Sequence, residues 1–132
     1  MSSLPPHLAR IVEAEYPRFS EAEMARRRGA VEALLARADC DHLVFCGANR
    51  FGSVVQWLTQ WPVTAEAVGV FTPRERDALF VQYVNHAPQA RTSPTRRTSN
   101  GAVSRPIAAA IETLERRGAR QDRVATIGPC QR

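Results

Sequence analysis

Apolar residues in this chain recur at helical spacing near the start, gather into short strand-like runs through the middle, and return to helical spacing near residue 110. Behind Pro5 and Pro6, Leu8, Ile11, Val12 and Tyr16 fall on one face, so the pattern predicts a first helix that ends at Pro17. A second helix follows from "FSEAEMARRRGAVEALLARADC". Ser20 with Glu23 makes a capping box, and Phe19 and Met24 are placed for a hydrophobic staple. Met24, Val31, Leu34 and Leu35 form its buried stripe, and Arg26, Arg27 and Arg28 read as a solvated face. "HLVFCG" is a buried strand closed by Gly47. "NRFGSVVQWLTQWP" is less regular and reads as a loop, then a short strand or turn around Val54–Leu58. "AVGVF" and "ALFVQYV" are strands joined by "TPRERD", with Pro73 at a favoured turn position, which makes residues 67–84 a hairpin. In "IAAAIETLERRG", Ile107, Ala110, Ile111 and Leu114 share a helical face and Gly118 supplies the stop. "RVATIG" begins a last strand.

This order defines the fold class as α/β: a single domain whose mixed β-sheet is flanked by helices. The length of 132 residues suits one hydrophobic core. Residues 1–17 are a helical extension and 18–132 the domain, with 91–106 an irregular loop inside it. No internal repeat is visible.

Charge changes the picture in one place. Residues 1–90 carry nine arginines against ten acids; residues 91–132 carry nine against three, so the whole excess of +5 arises in the last third. Arginine supplies all of the basic side chains, as a GC-rich gene would produce. The run "RTSPTRRTSNGAVSRP" could grip phosphates without reading sequence. It lacks the aromatic residues of single-strand binders and lies on no DNA-reading helix, so nucleic acid is the disfavoured partner. No apolar run is long enough to cross a membrane, and the N-terminus has no signal-peptide core, so the expected location is cytoplasmic. Cys40, Cys46 and Cys130 are few and odd in number, which fits reduced thiols.

Catalytic chemistry is hard to find. Cys40, His42 and Cys46 share parity on an extended chain and could place three soft ligands on one face. No CxxC pair or clear fourth ligand accompanies them, and buried strand cysteines are the commoner reading. A Cys–His nucleophile pair using Cys40 or Cys46 with His86 has no supporting local motif. GxSxG, GxGxxG, HExxH and phosphate-loop patterns are missing. Trp57 and Trp61, four residues apart, could form an aromatic wall, although core or subunit contact is the more frequent role of such a pair. Asn49 and Arg50, between a strand and a glycine-containing loop, could meet a carboxylate, although an exposed loop is the commoner reading.

Taken together, "FSEAEMARRRGAVEALLARADCDHLVFCGANRF" and "VVQWLTQWPVTAEAVGVFTPRERDALFVQYVNHAPQA" resemble the N-terminal domain of the creatinase/prolidase/Xaa-Pro aminopeptidase family. The likeness covers about residues 18–90 and resumes at 107–129. It implies a ribonuclease H-like α/β motif and a two-domain enzyme. Chemistry in that family belongs to a C-terminal pita-bread domain, where peptidases hold two divalent metals on aspartates, a histidine and glutamates. The N-terminal domain is non-catalytic: it shapes the active-site entrance and makes subunit contacts. Arg50, Trp57 and Trp61 are the residues that the resemblance marks for those contacts.

The expectation is therefore a truncated chain that is inactive alone, holds no cofactor or metal, and either self-associates or docks to a catalytic domain. A stand-alone dimerisation adaptor and a basic nucleic-acid-binding protein are the rival readings. Across 91–106 the likeness lapses. A compensated frameshift there, with a second near Pro129, would account for the acid-free run and for the missing catalytic domain.

Overall fold

The computed structural model describes residues 5–8, 10, 19–48, 53–60, 66–82, 97–102 and 105–128. After a helical turn at 6–8 come α1 (Glu21–Arg37), β1 (His42–Gly47), α2 (Ser53–Thr59), β2 (Ala67–Phe71), β3 (Asp77–Val81) and β4 (Arg97–Ala102). Then follow α3 (Pro106–Arg116), a short 3-10 turn at Gln121–Arg123 and β5 (Val124–Ile127). The remainder of the expected first helix, with Ile11, Val12, Tyr16 and Pro17, lies outside the described residues.

The five strands form one sheet in the order β4-β3-β2-β1-β5. β1 and β3 each run antiparallel to β2, while β5 is parallel to β1 and β4 is parallel to β3. The sheet is therefore mixed, as the alternation of elements predicts. α1 and α2 cover one face, where Val31, Leu35, Val55 and Leu58 pack on Leu43, Phe45, Phe71 and Leu79. α3 covers the other, with Ala110 against Cys46, Val68, Val70 and Phe80. All ten residues of β2 and β3 are buried, because helices lie on both sides of these strands. Gly69 is placed by this packing. It sits opposite Phe45 in the β1–β2 register, and a Cβ there would lie 2.0 Å from the Phe45 ring.

Local signals explain most of the boundaries. The Ser20 side chain accepts from the Glu23 amide at 3.2 Å and starts α1. The return half of the box is replaced, since the Glu23 carboxylate bonds Arg26 and Arg27 instead. Asp39 ends α1 at φ 53°, with Cys40 N–H donating back to the Leu35 carbonyl at 2.9 Å. Gly118 ends α3 at φ 67°. Its amide donates to the Glu115 carbonyl and that of Ala119 to the Leu114 carbonyl, the two bonds of a Schellman stop. In the β2–β3 turn, Pro73 is followed by Arg74 at φ 66°, and the Glu75 amide closes the turn on the Thr72 carbonyl at 3.1 Å.

Several expectations change. Residues 53–59, read as a loop with a short strand or turn, form α2. Val55, Leu58 and Thr59 are its buried residues, a helical spacing that β-branched Val54 and Val55 obscured in the sequence. The irregular loop expected over 91–106 contains β4, whose backbone pairs with β3 through an irregular register. Such a ladder needs backbone groups alone, so a polar segment can add at a sheet edge. Leu34 is 52% exposed and drops out of the α1 stripe, and Ile111 is 50% exposed and drops out of the α3 stripe. Phe19 is 51% exposed, its ring lying beneath Arg27. Finally, the arginine run is not one solvated face: Arg27 is buried and Arg28 is partly buried.

Candidate functional site

Between α1, α2 and β5 lies an open cavity of about 680 Å³. Val31, Leu43, Val54 and Leu58 form its floor and walls, and Leu34, Phe19 and Ile127 are half-exposed around it. Helical spacing in α1 sets this geometry: Met24, Arg27, Val31 and Leu35 turn inward, and Ala30, Leu34 and Arg37 line the mouth.

Arg27 is the buried charged residue of the cavity wall, 6% exposed. Its guanidinium carbon lies 3.8 Å from the Phe19 ring centroid and 5.1 Å from that of Trp57. Nε donates to Glu23 Oε1 at 2.8 Å, and Nη1 donates to the Trp57 carbonyl at 2.9 Å. Nη2 makes no hydrogen bond to the described residues. Glu23 is shared with Arg26, which donates to both of its oxygens at 2.7 and 2.8 Å. The bonds from Arg26 and then Arg27 hold the Glu23 carboxyl down at about 2, and Glu23 in turn raises Arg26. One carboxylate between two guanidinium groups leaves the place net positive.

Three further polar clusters tie the layers together. Arg28 pairs with Asp77, which is 1% exposed, and lies 4.6 Å from the Phe71 ring centroid, joining α1 to β3. On the α3 face His42 Nδ1 is 2.9 Å from the Thr72 hydroxyl. That hydroxyl accepts from Arg117 at 2.7 Å, and Arg117 also bonds the Arg76 carbonyl and Glu75. Arg123 clamps Asp41 at 2.5 and 2.7 Å and Asp39 at 2.8 Å. Its bonds lower the Asp41 carboxyl, while Asp41 and then Asp39 raise Arg123.

The described residues among those singled out in the sequence do not come together. Trp57 is half-buried against the α1 side of the core and lines the cavity, whereas Arg50, Trp61, Asn49, His86 and Cys130 lie outside the described residues. Cys40, His42 and Cys46 do not share a face. Cys40 precedes β1 and packs on the α1 side, while Cys46 belongs to the α3-side core. Cys46 is disulfide-bonded, which corrects the expectation of reduced thiols; Cys40 is free. Among the described residues no group of three His, Cys, Asp or Glu side chains could hold a metal ion. No helix among them is long and apolar enough to cross a membrane. A solvated arginine face leaves out Arg27, although its place three residues after Met24 and four before Val31 is a signal that it turns inward.

This arrangement, a mixed sheet with helices on both faces, is the fold of N-terminal domains in the Xaa-Pro aminopeptidase group, as the sequence resemblance implies. An aminopeptidase P, or Xaa-Pro aminopeptidase, from Streptococcus thermophilus is 20% identical, matching 73% of this chain and 69% of that one with a TM-score of 0.56. An Xaa-Pro aminopeptidase from Streptococcus pyogenes is 18% identical, matching 75% of this chain and 70% of that one with a TM-score of 0.58. No family model and no curated protein matches the sequence.

Proposed function

We propose that this chain is a non-catalytic accessory domain of the Xaa-Pro aminopeptidase and creatinase type, which shapes the entrance to an active site supplied by another domain. The fold match over about three quarters of the chain carries this reading. The segments that resemble the family in sequence include α1, β1 and the β2–β3 hairpin, the same elements that build the fold. On this reading a catalytic domain of pita-bread type brings the divalent metals, and this chain acts through its surface. Trp57, with Arg50 and Trp61, supplies the entrance or subunit contacts. The cytoplasm remains the expected compartment, and nucleic acid and membrane are not expected partners.

A rival from another class is a stand-alone adaptor that uses the fold to dimerise. Light scattering across a concentration series separates the two. The accessory reading expects no stable dimer of the chain alone; a dimer that persists on dilution would support the adaptor instead.

A further inference from the structure

The cavity beside α1 has a chemical character that the accessory reading does not use. Its size lies in the range of small-molecule sites, and its surface is mostly aliphatic and aromatic with few polar groups. Among the described residues, the two charged ones that line it, Arg27 and Arg37, are both arginines, and no acid lines it. They stand ten residues apart on α1, about 15 Å along the helix axis. The two therefore mark separate regions of the cavity, with Ala30, Val31 and Leu34 between them. Arg27 is permanently charged and buried, is stacked by Phe19 and Trp57, and is held at Nε and Nη1. Its remaining amino group, Nη2, has no hydrogen-bond partner among the described residues.

We propose that this cavity binds an aliphatic carboxylate, with the acid on Nη2 of Arg27 and the chain lying along Val31 and Leu34 toward Ile127. A guanidinium donates to a carboxylate through strong charge-assisted bonds, and stacking fixes this one in place before the ligand arrives. The apolar walls select a hydrocarbon chain, and Arg37 at the mouth disfavours a cationic one. The site is independent of whether the chain serves a peptidase.

Decanoate, decanol and decylamine test this on the intact chain, because they share one hydrocarbon length and differ in head group. Titration calorimetry below micellar concentrations reads affinity. Trp57 emission in a Trp61→Phe background reads location. Decanoate binds one molecule per chain and perturbs Trp57, and decanol and decylamine bind at least about tenfold more weakly. Leu34→Asp, a change at a half-exposed position, weakens decanoate by about tenfold or more. Arg27→Met removes the head-group preference if the variant folds. Leu34→Asp and the ligand series keep the test decisive if it does not. Equal binding of all three compounds would show an unspecific apolar face and overturn the proposal. So would decanoate binding that leaves Trp57 unchanged, or an absence of saturable binding. Self-association that Leu34→Asp abolishes and decanoate leaves untouched would assign the cavity to a second copy and also overturn it.

Discussion

Three consecutive arginines in α1 have three different surroundings. Arg26 is largely exposed and bonds Glu23, Arg27 is stacked inside the cavity wall, and Arg28 reaches the buried carboxylate of Asp77. Arg28→Leu takes one charged partner from a buried carboxylate, so it should lower stability by about 1–3 kcal/mol in denaturant titration. Arg26→Leu should change it far less, since exposed pairs contribute little. Glu23 adds a pH dependence. Its carboxyl lies near 2 in the folded chain against an ordinary value of 4.5, so its contribution is present above about 4.5 and disappears as pH falls toward 2. Glu23→Gln should flatten that part of the stability profile. The capping role of Ser20 was legible because it depends on neighbours in sequence. The fate of Arg27 was legible only in part: helical spacing puts it on the buried stripe, but Trp57, thirty residues away, decides what it meets there.

At the scale of elements, glycine gives the clearest contrast. Gly118 occupies φ 67° at the end of α3, where an L side chain is strained, while Gly29 sits in the middle of α1, where an added Cβ would meet no atom within 4 Å. Gly118→Ala should therefore cost about 1 kcal/mol and Gly29→Ala should gain about 0.5–1 kcal/mol, both read from chemical denaturation midpoints. The Gly118 stop, the Pro73 turn and the hairpin strands could be read from the sequence because each has a local cause. α2 could not. It is a seven-residue helix with a valine pair in its first turn, and its backbone is set by packing on β1 and β2, which overrides weak propensity. β4 was hidden for another reason: its pairing with β3 uses backbone groups that any sequence offers.

This chain has a fold shared with solved Xaa-Pro aminopeptidases, and among its described residues polar ties join elements distant in sequence: Arg28 to Asp77, Arg117 to Thr72, and Arg123 to Asp39 and Asp41. The α/β class and the central hairpin were visible in the sequence, as was the family likeness. The cavity was not, because α1, α2 and β5 line it together from distant parts of the chain. The most direct test of the proposed non-catalytic role is the release of proline from an Xaa-Pro dipeptide by the purified chain, with Mn²⁺, Co²⁺ or Zn²⁺ added in turn. An accessory domain gives no turnover above the metal-only control. Metal-dependent turnover that is lost on mutating this chain's own residues would contradict that role.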